Sequence, residues 1–155
     1  MVVAVRNTVS EVYPARAESV PLARQLAADL AAQSGADERT IEAVRLAVSE
    51  AVTNVVMHAY AETPGELQLT VAVAGEELWV LVADDGRGHQ NVPETPGLGW
   101  GLALIADAAE RFLITERSGG GTELRMRFRL PREERGERRD TRVRTGDLGA
   151  RPRRR

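Results

Sequence analysis

Six consecutive apolar residues, Leu78, Trp79, Val80, Leu81, Val82 and Ala83, run without a polar break and stop at Asp84-Asp85-Gly86-Arg87-Gly88. A run this short is a strand, and continuous rather than alternating apolarity predicts burial on both faces. It is the longest uninterrupted apolar run in the 155-residue chain, far short of the ~20 residues that cross a bilayer. The fold is therefore expected to contain an interior strand that delivers carboxylates and glycines to one end of a sheet. A chain of this length suggests one domain able to remove roughly 68–70% of its unfolded surface from water.

Elements of both kinds surround that strand. Residues 2–13 are expected to hold a short strand. Residues 19–33 read as a helix, with Leu22, Leu26 and Leu30 at four-residue spacing and Gly35 as its breaker. Asp37 is a good N-cap for a second helix reaching about Tyr60. On it, Ile41, Val44, Val48, Ala51 and Val55 form an apolar stripe at about 100° per residue, and Glu42, Arg45 and Ser49 mark the solvated side. Glu50, Asn54 and His58 are spaced by four and stack along a separate line. Leu46, Ala47 and Met57 flank that line, so it is expected to face a cleft. Within residues 66–74, Leu67, Leu69, Val71 and Val73 alternate, and residues 74–77 read as a hairpin turn. Residues 97–102 open a third helix that continues to Ala109. Residues 112–117 and 122–130 read as strands around a flexible turn. In the last one Leu124, Met126, Phe128 and Leu130 form a core face, while Arg125, Arg127 and Arg129 form a charged, wet one. The pieces predict an α+β two-layer sandwich, its sheet mixed but mainly antiparallel, with helices on one face.

All 21 basic residues are arginine, and cysteine is absent. That excludes a P-loop with its phosphate-reaching lysine, Schiff-base chemistry, disulfides and thiolate metal sites. Two histidines, His58 and His89, make a histidine-rich metal centre a poor expectation. The net charge of −2 averages two unlike segments: residues 1–130 carry 11 arginines and 18 acids, residues 131–155 carry 10 and 5. The second segment has too few apolar residues for a core and is expected to be a disordered, arginine-rich tail; the alternative is a contact arm for nucleic acid or an acidic protein. The N-terminal residues lack the basic and apolar regions of a signal peptide, so a soluble cytoplasmic protein with no membrane association is expected.

Three features suit a nucleotide. The glycine-rich helix start at 97–101 offers unpaired N–H groups and a positive helix end to phosphate, although turn glycines commonly precede helices. Asp84, at the end of the apolar strand, can accept a hydrogen bond from an exocyclic amino group such as adenine's, though Asp-Gly also simply forms turns. Asn54 can give a neutral oxygen to Mg²⁺ and Glu50 can act as general base. The alternative for that line is a polar ridge satisfied by a neighbouring loop.

In order, Glu50-Ala-Val-Thr-Asn54 with His58-Ala-Tyr60, Asp84-x-Gly86-x-Gly88, Gly97-x-Gly99-x-Gly101-Leu102 and Gly121-Thr122 resemble the successive ATP-binding boxes of the GHKL superfamily, over roughly residues 8–130. The phrase from Ala47 to Asn54 is most similar to the bacterial anti-sigma factor serine kinases. The resemblance implies the histidine-kinase-like ATPase (Bergerat-type) fold, with a kinase domain over residues 1–130. It implies an anti-sigma factor that also phosphorylates a serine on an anti-anti-sigma antagonist, using ATP and Mg²⁺. Asn54 would bind Mg²⁺ and Glu50 would be the general base. Asp84 would bind the adenine amino group beside Gly86 and Gly88. Gly97, Gly99 and Gly101, with Leu102, would line the phosphates under a lid of residues 89–98, and Thr122 would support the adenine pocket through water. The implied partners are a sigma factor, the antagonist and a second copy of the chain, with no direct nucleic-acid binding by the folded domain. Two other readings are a non-catalytic ATP-binding anti-sigma module and a detached histidine-kinase-like ATPase domain; Glu50 argues against the first, and the lack of room for a dimerisation helix pair against the second.

Overall fold

Alternating sequence builds the sheet, and every strand pairing is antiparallel. The computed structural model describes residues 4–60, 62–87 and 98–131. Strands β1 (Val5–Pro14), β2 (Glu66–Ala74), β3 (Glu77–Asp84), β4 (Arg111–Glu116) and β5 (Thr122–Arg129) form one five-stranded sheet in the order β1-β2-β3-β5-β4. The expected mixture of directions gives way to antiparallel ladders at all four pairings. The β2–β3 hairpin turns at Gly75, whose φ of 61° suits a residue without Cβ. β5 inserts between β3 and β4, so the connection that leaves β3 crosses over it. That connection includes α3 (Leu98–Ala108).

Helices α1 (Ser19–Gln33) and α2 (Glu38–Asn54) cover one face together with α3. Asp37 caps α2 as expected, its carboxylate accepting from the Thr40 N–H at 2.8 Å. Of the predicted stripe, Val44, Val48, Ala51 and Val55 are buried and pack with Leu69, Val71, Val80, Met126 and their neighbours, while Ile41 at its start is only half-buried. Each valine removed from water there contributes about 1.5–3 kcal/mol. α1 docks through Ala23, Ala27, Ala28 and Ala31 with Leu30, whereas Leu22 is exposed. Small side chains let this helix lie close against α2.

Four expectations change. Leu78, Val80 and Val82 are fully covered by the helices, but Trp79 and Leu81 on the other face of β3 are only half-buried. No second layer covers them among the described residues; instead the Arg127 guanidinium lies 5.9 Å from the Trp79 ring centroid and pairs with Glu77 at 3.0 Å. An apolar run thus satisfied one helical layer plus a partial cover of long side chains. The same packing makes Arg127 half-buried rather than wet. Arg45 and Ser49 do not face open solvent either: both are half-buried, and Arg45 Nη1 donates to Gln25 Oε1 on α1 at 3.2 Å. Finally, the second helix does not run regularly to Tyr60. After Asn54 it widens into a π-type turn over Val55–Ala59, a feature that often marks functional sites. None of the described helices is long and apolar enough to cross a membrane.

Candidate functional site

The last turns of α2 and the first turn of α3 bring two side-chain oxygens together. Glu50 and Asn54, one turn apart on α2, are both half-buried. They face Gly101, itself buried. A carbon added to Gly101 would lie 3.1 Å from Glu50 Oε2 and 3.2 Å from Asn54 Oδ1. Only glycine leaves that space between the carboxylate, the amide and the helix. The first N–H groups of α3 have no partners within the helix and sit at its positive end, so they can receive an anion. Among the described residues no three His, Asp or Glu converge into a metal cage. A magnesium ion is ordinarily held by one or two protein groups plus substrate phosphates, and Asn54 Oδ1 is the neutral oxygen available for that role here.

The other wall lies where α2 runs on into its π-type turn. Ala59 is nine residues beyond Glu50, at the end of that turn. Its carbonyl, which the helix end leaves without an internal partner, accepts from the Arg87 N–H at 2.8 Å, and the His58 carbonyl accepts from Arg87 Nη2 at 3.3 Å. Gly86 passes so close that a Cβ there would meet Ala59 O at 2.2 Å. The acid–glycine loop is therefore pressed onto the helix that carries Glu50 and Asn54.

Asp84 ends β3 on the helix-facing side, only 6% exposed. Its Oδ1 accepts from the Gly86 N–H at 2.9 Å, and its carboxylate also accepts from the Thr122 backbone N–H. Burial pushes its pKa up, more than these two hydrogen bonds pull it down. A buried carboxylate has further acceptor capacity beyond two N–H donors, and an amino group could fill it. Gly121 makes this packing possible: with φ of 90° its place for a Cβ lies 2.0 Å from Asp84 O. Burial, and next the Arg87 charge, lower the pKa of half-buried His58; the wider turn takes His58 off the regular line of Glu50 and Asn54.

Of the residues singled out by sequence, Glu50, Asn54 and Gly101 converge on one wall, and Asp84, Gly86 and Thr122 on the other. Gly99 is exposed with open space around its Cβ position. Leu102 is half-buried and packs against the core. Gly88, Gly97 and residues 89–97 of the expected lid lie outside the described residues, as does the segment 132–155. Sequence reasoning missed Tyr60 and Arg117 as neighbours of Asp84. The Asp85 N–H donates to Tyr60 Oη at 2.9 Å, and Arg117 Nη1 donates to the Asp84 carbonyl at 3.2 Å. Tyr60 stood within a recognised motif, but nothing local to Arg117 signals a contact 33 residues away.

Comparison with known proteins shows the family to which this fold belongs. The chain matches the family model of the histidine kinase-like ATPase domain over residues 13–128. It is 26% identical to the anti-sigma F factor of Clostridium acetobutylicum over 126 residues, covering 74% of this chain and 88% of that protein. It is 40% identical to the serine-protein kinase RsbW of Bacillus cereus over 73 residues, 47% of this chain and 46% of that one. The match therefore spans about half the length of that kinase. A crystal structure of the RsbU and RsbW domains of a Mycobacterium tuberculosis protein superposes with a TM-score of 0.65 at 27% identity, covering 81% of this chain and 32% of the other. With the α+β fold, the two-walled site and a family match across most of its length, this chain belongs to the histidine kinase-like ATPase family of the GHKL type, beside relatives named as anti-sigma factors and serine-protein kinases.

Proposed function

We propose that this protein is an anti-sigma factor that also acts as an ATP-dependent protein-serine kinase on an anti-anti-sigma antagonist, and so regulates sigma-factor-dependent transcription in the cytoplasm. The observation that carries the reading is the convergence of Glu50 Oε2 and Asn54 Oδ1 on the space beside Gly101. A module that only bound nucleotide would have no use for a carboxylate at that point. Asn54 would hold Mg²⁺, the first turn of α3 would receive the phosphates, and Asp84, supported by Gly86 and Thr122, would accept the adenine amino group. Mg-ATP, when bound, supplies the phosphoryl group to be transferred. Glu50 accepts the proton of the attacking serine hydroxyl at its carboxylate, leaving the oxygen free to attack. The kinase domain is read as residues 1–130, with the arginine-rich segment from 131 outside it, and the working unit as a homodimer.

The test is incubation of the purified protein and Mg²⁺ with labelled ATP and candidate antagonists, followed by mapping of phosphoserine on the product. Glu50→Ala is expected to bind Mg-ATP as the wild type does and to lose phosphotransfer by about 10²-fold or more. Transfer at the wild-type rate by this variant would remove the general-base assignment. Transfer by neither protein to any antagonist, with ATP bound, would leave the non-catalytic module as the reading.

A further inference from the structure

One peptide unit at the end of β3 is gripped at both of its polar atoms by side chains from distant parts of the chain. Its C=O, from Asp84, accepts from Arg117 Nη1 at 3.2 Å, and the same guanidinium pairs with the Asp85 carboxylate. Its N–H, from Asp85, donates to Tyr60 Oη at 2.9 Å, while the Tyr60 hydroxyl donates to the Glu66 carbonyl. The tyrosine ring is itself confined, because a Cβ on Gly65 would lie 2.3 Å from it.

The position of this unit makes the grip consequential. The ladder of β3 with β2 ends at Leu67↔Asp84, and its ladder with β5 ends at Ala83↔Glu123. Beyond them no strand pairing among the described residues holds the chain. The peptide plane is free to turn about ψ of Asp84 and φ of Asp85 unless something else fixes it. Turning it would move Gly86, whose N–H orients the Asp84 carboxylate. Hydrogen bonds weaken steeply with misalignment, so a loosely held acceptor would discriminate poorly between bases.

We propose that Tyr60 and Arg117 are positioning residues for base selection: by holding the Asp84–Asp85 peptide at both ends, they aim the Asp84 carboxylate at the exocyclic amino group of an adenine nucleotide. This inference rests on the proposed role of Asp84 and extends it to two residues that act through the backbone beside it. Neither residue is asked to take part in phosphotransfer, so the effect belongs to affinity and base preference.

The experiment compares ATP with inosine triphosphate, which carries a carbonyl in place of the amino group. Affinities in the presence of Mg²⁺ are measured by titration calorimetry for the wild type, Tyr60→Phe, Arg117→Ala and Arg117→Lys. Amide hydrogen exchange is followed across residues 84–87 without nucleotide, and a melting curve for each variant establishes that it is folded. The wild type is expected to prefer ATP. Tyr60→Phe and Arg117→Ala are expected to lose about three- to tenfold in ATP affinity with little change for inosine triphosphate. Arg117→Lys is expected to recover part of that loss, since a lysine keeps the charge but not the forked donors. Exchange at Asp85 is expected to accelerate in Tyr60→Phe. Equal loss for both nucleotides, unchanged preference, or unchanged exchange in the variants would each overturn the positioning role. A wild type that binds both nucleotides equally would instead overturn the reading of Asp84 as the base acceptor, and the inference with it.

Discussion

Replacing Gly101 with alanine should leave the protein's stability nearly unchanged and make it less able to bind Mg-ATP. Gly101 lies in α3 and is not among the glycines with positive φ, so alanine can adopt its backbone. At a position whose backbone alanine can adopt, that exchange favours folding by about 0.4–1 kcal/mol, through the entropy the unfolded glycine gives up. Against this stands the added methyl group, 3.1 Å from Glu50 Oε2, 3.2 Å from Asn54 Oδ1 and 3.6 Å from Asn54 Nδ2. The first two fall a few tenths of an ångström inside the usual contact range of about 3.5–4.0 Å. The atoms met are the ends of two side chains and not backbone, so each can swing aside at about 0.5 kcal/mol, the lower cost of an off-rotamer torsion, or about 1 kcal/mol for both. The two contributions nearly cancel, so the expected change lies within about 0.5 kcal/mol of zero, or within roughly 1–4 °C in Tm for a domain of this size. The swing also takes both oxygens from their places and fills the space between them. Affinity for Mg-ATP is then expected to fall at least about tenfold, the effect of losing one charged or metal-bound contact. Scanning calorimetry without nucleotide and titration with Mg-ATP, on the same preparations, read the two effects separately. Wild-type affinity in Gly101→Ala would refute the idea that this convergence is where the nucleotide's metal and phosphates sit. Destabilisation by more than ~1 kcal/mol would refute the claim that the neighbours can yield.

Two further substitutions probe the other wall. Gly121→Ala is expected to destabilise by at least about 2 kcal/mol, because the new Cβ would lie 2.0 Å from a carbonyl oxygen at a φ of 90°. Chemical denaturation reads this as a lowered midpoint with an unchanged slope, and an unchanged midpoint would show that the Asp84 backbone can move away. Asp84→Asn carries a pH signature. Burial raises the Asp84 pKa above its ordinary 3.8, so the folded chain holds this proton more tightly than the unfolded chain. Asp84 therefore favours folding at low pH, and that contribution is lost as pH rises through its folded value. The Tm of Asp84→Asn is expected to gain on that of the wild type as pH rises from 3.8, then to run parallel above the folded value. A Tm difference independent of pH would refute the role of burial.

Much of this molecule was legible residue by residue. The alternation in residues 66–74 and 122–130 placed two strands with the correct faces inward, because period-two patterning leaves one register that buries leucine and valine. Asp37 announced the start of α2, since a cap needs only the residues beside it. The spacing of Glu50 and Asn54 put both on one line of a helix, and their order with the acid–glycine and glycine-rich boxes carried the family resemblance. These are local signals, and local geometry follows from them. What only the assembled fold decided involves partners far apart in the chain. An apolar run cannot report whether its second face meets another layer or, as at Trp79, an arginine from β5. Nor does helical periodicity reveal that α2 widens after Asn54, where the loop carrying Gly86 and Arg87 takes up the Ala59 carbonyl. The sequence by itself determined which acceptor groups, Glu50, Asn54 and Asp84, the candidate site would offer. The tertiary structure decided how they are held, because the space beside Gly101 and the two-ended grip on the Asp84–Asp85 peptide exist only once segments 25 to 51 residues apart have packed against one another.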